Sequence, residues 1–131
     1  MAKYDPNMAK GFLLFSAASG FLSVALGAFG AHALKDMLDD YHLKVFQTGI
    51  QYQFFHCFAL ALVGLLLARL GDPTLRASGW AFVAGTVIFS GSLYCLAITQ
   101  ARWWGAVTPL GGLSFLIGWV LLFVALWRAE I

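Results

Sequence analysis

Four blocks of apolar sequence, each long enough to cross a bilayer as a helix, dictate what this chain can become. They fall at about 10–34, 49–69, 76–99 and 103–127. Each reaches the ~20 residues that span ~30 Å of hydrocarbon. In lipid only helices and closed barrels satisfy their own backbone, and these blocks lack the alternation of a barrel strand. Composition points the same way: 61% of the 131 residues are hydrophobic and 11% are charged. A water-soluble domain of this length could not cover so much apolar surface. The expected fold is all-α. It is a single transmembrane domain over 1–131, an integral membrane four-helix bundle with short loops and one interfacial helical segment at about 35–47.

The connections carry turn chemistry. GDPT joins the second and third blocks, with Gly71 suited to a helix C-terminus and Pro73 to the first turn of the next helix. QARWW joins the third and fourth, with Trp103 and Trp104 at interface position. The longest connection is KDMLDDYHLKVF, 35–46, where Leu38, Tyr41, Val45 and Phe46 can share a helical face. It reads as a short interfacial helix or as a helical extension of the second span. The first block has a positive start and an Ala31-His32-Ala33 run resembling a signal-peptide cleavage site. Its apolar part exceeds the ~7–15 residues of a signal-peptide core, so it is read as a true span. Lys3, Lys10, Arg69, Arg76 and Arg128 fall on one side, and Lys35, Lys44 and Arg102 on the other. The bias expects a multi-pass membrane protein with both termini cytoplasmic.

Small residues predict how the spans pack. Ser16, Gly20, Ser23, Gly27, Gly30 and Ala31 share about one third of the surface of the first helix. Gly111, Ser114 and Gly118 form a similar row in the fourth, and Ala81 and Gly85 offer space in the third. Such seams let backbones approach closely, which is how helices associate in lipid. A homo-oligomer or a membrane-protein partner could also use one of them. The bilayer is the expected environment, and no basic block or zinc-finger spacing suggests nucleic acid.

The strongly polar residues inside the spans gather toward the outer half of the membrane. His56 lies thirteen residues, or ~20 Å, above Arg69. Thr48, Tyr52 and His56 follow at i, i+4 and i+8, with Gly49 and Gln53 bordering that face. Thr86, Ser90 and Tyr94 repeat the spacing in the third span, and Thr108 and Pro109 enter the fourth from the outer side. His32 sits at the outer end of the first span, where capping a helix C-terminus competes with any ligand role. The candidate polar cluster is therefore His32, Thr48, Tyr52, Gln53, His56, Ser90, Tyr94 and Thr108. An ionisable group at the depth of His56 is costly and raises a functional hypothesis. A neutral imidazole bonded to Tyr94, Ser90 or His32 would equally serve as a bridge between helices. Serine and threonine in such helices mostly bond their own backbone or a neighbour.

No catalytic set emerges. Ser-His-Asp and phosphate-loop signatures are absent, as are HxxH, HxxxH and CxxC. Cys57 and Cys95 lie apart in apolar blocks, as packing residues do. No metal site and no cofactor are expected, and an enzyme ranks last.

Four segments together resemble the YgdD-like family of small bacterial inner-membrane proteins, which has mitochondrial transmembrane relatives. They are GAFGAHAL (27–34), QTGIQYQFFH (47–56), FSGSLYCLA (89–97) and TPLGGLSFLIGW (108–119). The resemblance implies a four-helix membrane protein without an established biochemical activity, and it supplies no catalytic residues. Two readings follow. The first is a structural or accessory membrane protein whose polar cluster bridges helices. The second is a protein that binds or transports a small ligand, lipid head group or ion through a pocket open to the outer aqueous side.

Overall fold

The computed structural model describes residues 6–131, apart from the side chain of Ala31. Lys3 and the Ala31 side chain, used in the orientation and seam arguments, lie outside the described residues. Four helices follow one another: α1 (Pro6–Leu34), α2 (Asp40–Leu70), α3 (Pro73–Thr99) and α4 (Trp104–Arg128). Each is long and apolar enough to cross a membrane, and no strand occurs among the described residues. The protein is a membrane four-helix bundle. The start of α1, the end of α4 and the α2–α3 loop lie at one end, here the terminal end. The opposite end carries the other two connections.

Local chemistry sets the helix limits. Asp39 is extended and its carboxylate accepts from the His42 backbone amide at 2.9 Å, capping α2. The helix then runs unbroken from Asp40 into the span. Residues 40–47 are thus an extension of α2 rather than a separate interfacial helix, and 35–39 form the turn. Gly71 takes a left-handed conformation with φ 63° and closes α2 by donating to the Leu67 carbonyl. One residue on, Asp72 caps α3 by accepting from Thr74, with Pro73 in its first turn. Two five-residue π-helical segments interrupt the regular winding, Leu26–Gly30 in α1 and Thr86–Ser90 in α3.

Helices α2 and α3 form the centre, with α1 laid against α2 and α4 against α3. Lipid offers little hydrophobic drive between helices, so close packing and interhelical hydrogen bonds do the work. On α1 the small-residue seam faces α2. Ser16 donates to the Cys57 carbonyl at 2.6 Å, and Gly20 leaves room for the Cys57 sulfur. Between α3 and α4, Ser78 donates to the Gly118 carbonyl and Ser114 to the Ala81 carbonyl, each at 2.7 Å. A Cβ on Gly85 would lie 2.4 Å from the Phe115 ring, and one on Gly118 2.7 Å from the Phe82 ring. At Gly111 the obstacle is backbone: a Cβ there would stand 2.3 Å from the Phe89 nitrogen. Phe89 belongs to the π-helical segment of α3, so the irregular winding and the absent side chain occur at one contact.

Candidate functional site

The polar residues of α2 turn toward different neighbours. Gln53 and His56 are three residues apart, ~300° around the helix. Gln53 is buried and works toward α1 and α3. Its amide nitrogen donates to the Ser19 carbonyl at 3.1 Å, and its amide oxygen accepts from the Tyr94 hydroxyl at 2.6 Å. One side chain therefore ties three helices. A turn away, Ser90 of α3 donates to the Gly49 carbonyl at 2.7 Å. Gly49 admits this contact because a Cβ there would stand 2.7 Å from the Tyr94 ring.

His56 faces α4. Its ring stacks on Phe115 with centroids 3.6 Å apart and planes 10° from parallel. The Trp119 indole Nε1–H lies 3.1 Å from His56 Nε2, and His56 Nδ1 lies 2.8 Å from the Tyr52 carbonyl. An indole N–H only donates, so Nε2 must accept and Nδ1 must carry the proton. That assigns the neutral Nδ1–H tautomer. Both ring nitrogens are thereby engaged, and the residue is only 6% exposed. In this arrangement both imidazole nitrogens are committed to protein partners, one on its own helix and one on α4.

The remaining expected residues spread outward from this pair. Tyr52 contributes its carbonyl, and its half-exposed ring touches Phe89 at 4.7 Å. Thr108 reaches Ser92 at 2.6 Å and pins the start of α4 to α3. Thr48 returns to the Lys44 carbonyl of its own helix. His32 is exposed at the end of α1 and does not join the cluster. The expected partners of His56 were Tyr94, Ser90 or His32; the structure supplies Tyr52 and Trp119 instead. Sequence reading missed Trp119, Phe115 and Ser19. A usable signal existed for Trp119, which sits nine residues, or ~14 Å, from the α4 end at Arg128. An indole N–H at that depth, away from the interface, needs an acceptor.

Gln53 and Tyr94 line a lateral cleft between α1 and α3 of about 310 Å³. Leu22 and Val87 on its walls are more than half exposed on the side the bilayer would cover. Among the described residues, no three His, Cys, Asp or Glu side chains gather as metal ligands, and Cys57 and Cys95 are free thiols. At the end opposite the termini, the His42 backbone amide, and then its ring, hold the Asp39 carboxyl below its ordinary pKa.

Comparison with known proteins gives consistent matches. The model of a family described as "Protein of unknown function (DUF423)" matches residues 26–112. An inner membrane protein of Escherichia coli strain K12, UPF0382 protein YgdD, is 49% identical over 124 residues, covering 90% of this chain and 90% of its own. The UPF0382 membrane protein YwdK of Bacillus subtilis is 44% identical over 117 residues, covering 88% of this chain and 95% of its own. A UPF0382 membrane protein of Staphylococcus epidermidis is 40% identical over 116 residues. No solved structure matches the chain.

Proposed function

The chain belongs to the DUF423 family, whose relatives are membrane proteins, and from that premise we propose that it is a structural or accessory protein of the inner membrane. Its mid-membrane polar groups lock four helices into one register. The observation that carries this reading is His56. It donates to Tyr52, accepts from Trp119 and stacks on Phe115. A group wired in this way holds α2 against α4. Each intramembrane hydrogen bond contributes ~0.6–2 kcal/mol. The interhelical bonds of Ser16, Gln53, Ser78, Ser90, Ser114 and Trp119 together supply several kcal/mol of specificity. We assign no enzymatic step to the protein.

Both termini face the cytoplasm in this reading. The terminal end carries Lys10, Arg69, Arg76 and Arg128, and the opposite end Lys35, Lys44 and Arg102. The partner is a second copy or another membrane protein, met through the lipid-facing surface. Thermal unfolding in mild detergent tests the reading with His56→Ala and Trp119→Phe. Both variants should melt below wild type, His56→Ala by more, because it also removes the face stacked on Phe115. Wild-type melting in His56→Ala, with loss of a copurifying small molecule, would make the histidine a ligand-binding group and end the structural reading.

A further inference from the structure

The lateral cleft between α1 and α3 has features that helix locking does not explain. α1 touches α3 only sparingly, near Phe12 and Trp80, whose rings meet edge-on at 5.6 Å. The cleft places Ser19 on the α1 wall, Gln53 on the floor, and Thr86 and Tyr94 on the α3 wall. A second cavity of about 380 Å³ adjoins it at Phe15 and continues toward the terminal end past Trp80. The two make one groove with a polar part deep in the bundle and an apolar part leading away.

Three properties define what fits there. The first is charge: among the described residues, no Asp, Glu, Lys, Arg or His lines either cavity. A charge at this depth would be costly, so the occupant is neutral. The second is hydrogen bonding. Ser19 is 4% exposed, and its hydroxyl has no hydrogen-bond partner among the described residues. Its own carbonyl already accepts from Ser23 and Gln53. The Gln53 amide makes one bond at each end, and the Tyr94 proton goes to Gln53. The cleft also presents two hydroxyls, Ser19 on one wall and Thr86 on the other, each with one proton to donate. They can serve a ligand that carries two acceptors. A buried donor left unmet is destabilising, and such a ligand would recover that loss.

The third property is depth. Ser19 is thirteen residues into α1 and Thr86 thirteen into α3, each ~20 Å from the terminal end and near the middle of its helix. Glycerolipid ester carbonyls are tethered at the interface, ~15 Å from the midplane of a ~30 Å hydrocarbon core. A molecule that carries carbonyls to the midplane must be apolar elsewhere. An oxidised prenyl quinone has paired ring carbonyls, no charge, no donor and a hydrocarbon tail. We propose that the α1–α3 groove seats a membrane quinone, its ring carbonyls accepting from Ser19 and Thr86 and its tail lying along Phe15 and Trp80.

The test is native mass spectrometry of the full chain released from nanodiscs of phosphatidylethanolamine and phosphatidylglycerol, with and without decylubiquinone. The wild type should carry one quinone per chain, saturably. Ser19→Ala should weaken binding by about 3- to 30-fold, the equivalent of one intramembrane hydrogen bond. Gly91→Leu should abolish it at unchanged melting temperature, because Gly91 lines the cleft and a Cβ there meets nothing within 4 Å. If Gly91→Leu does not fold, Ala18→Leu on the exposed α1 wall asks the same question. An empty wild type, equal quinone uptake in the filled-cleft variant, or displacement of the quinone by phospholipid would each overturn the assignment. None of these results touches the His56 bridge, so the two proposals fail separately.

Discussion

Replacing Gly111 by alanine, beside the same change at Gly112, isolates the closest helix approach in the bundle. The two glycines are adjacent in α4 and gain the same helix propensity on substitution, up to ~1 kcal/mol each. They differ in what the new methyl meets. At Gly112 the nearest atoms are the Phe89 ring at 3.8 Å, an ordinary contact. At Gly111 the methyl stands 2.3 Å from the Phe89 nitrogen and 2.6 Å from its Cα. Ordinary contact begins at 3.4 Å, so α3 and α4 must part by about 1 Å at this point. Overpacking of this kind costs ~1–3 kcal/mol. One turn along, the Ser114 bond to the Ala81 carbonyl is 2.7 Å long and would not survive the same displacement. Its loss adds ~0.6–2 kcal/mol. Gly111→Ala should therefore be less stable than Gly112→Ala by ~2–5 kcal/mol, the propensity gain cancelling between them. Reversible unfolding in mixed micelles, followed by far-UV circular dichroism, measures that difference. Equal stability within ~0.5 kcal/mol, the scatter of ordinary surface changes, would refute the backbone contact and the role given to the π-helical segment.

Ser78→Ala removes the bond to the Gly118 carbonyl at a fully buried position and should cost ~0.6–2 kcal/mol in the same unfolding assay; no change would mean that the carbonyl finds another donor. Asp39 gives a pH prediction. Its carboxyl is held below its ordinary pKa by the His42 amide and ring. The cap it provides is thus fully present above the unfolded pKa of ~3.9 and is lost as pH falls through the lower folded value. Hydrogen exchange of the Tyr41–Lys44 amides should quicken there in the wild type and be quick at every pH in Asp39→Ala; protection that ignores both changes would show that the cap contributes nothing.

Much of the architecture is legible residue by residue. Gly71 and Pro73 mark a turn because one tolerates positive φ and the other lacks an N–H that a first helical turn does not use. The Gly111, Ser114 and Gly118 row forms the contact with α3, because small residues are what close packing in lipid requires. The polar residues were harder. Helical spacing put Gln53 and Tyr94 in one candidate cluster, and in the structure the two side chains meet. The same spacing could not say that His56, one turn from Gln53, would face α4 and find Trp119. Nor could it separate Ser16, bonded to Cys57, from Ser19, whose hydroxyl bonds nothing.

The sequence alone determined the solvent and the number of spans, because these depend on the length of apolar runs. It also determined which helix faces could pack closely, since a missing side chain acts wherever the backbone comes near. The tertiary structure decided which helix met which, and through that the identity of every long-range partner. A hydrogen bond needs ~3 Å between two atoms, and residues 63 positions apart, such as His56 and Trp119, are brought to that distance only by the assembled bundle. The groove between α1 and α3 has the same origin. It exists because α1 settles on α2 and touches α3 only near Phe12, a choice made among four competing apolar surfaces and written in no single one of them.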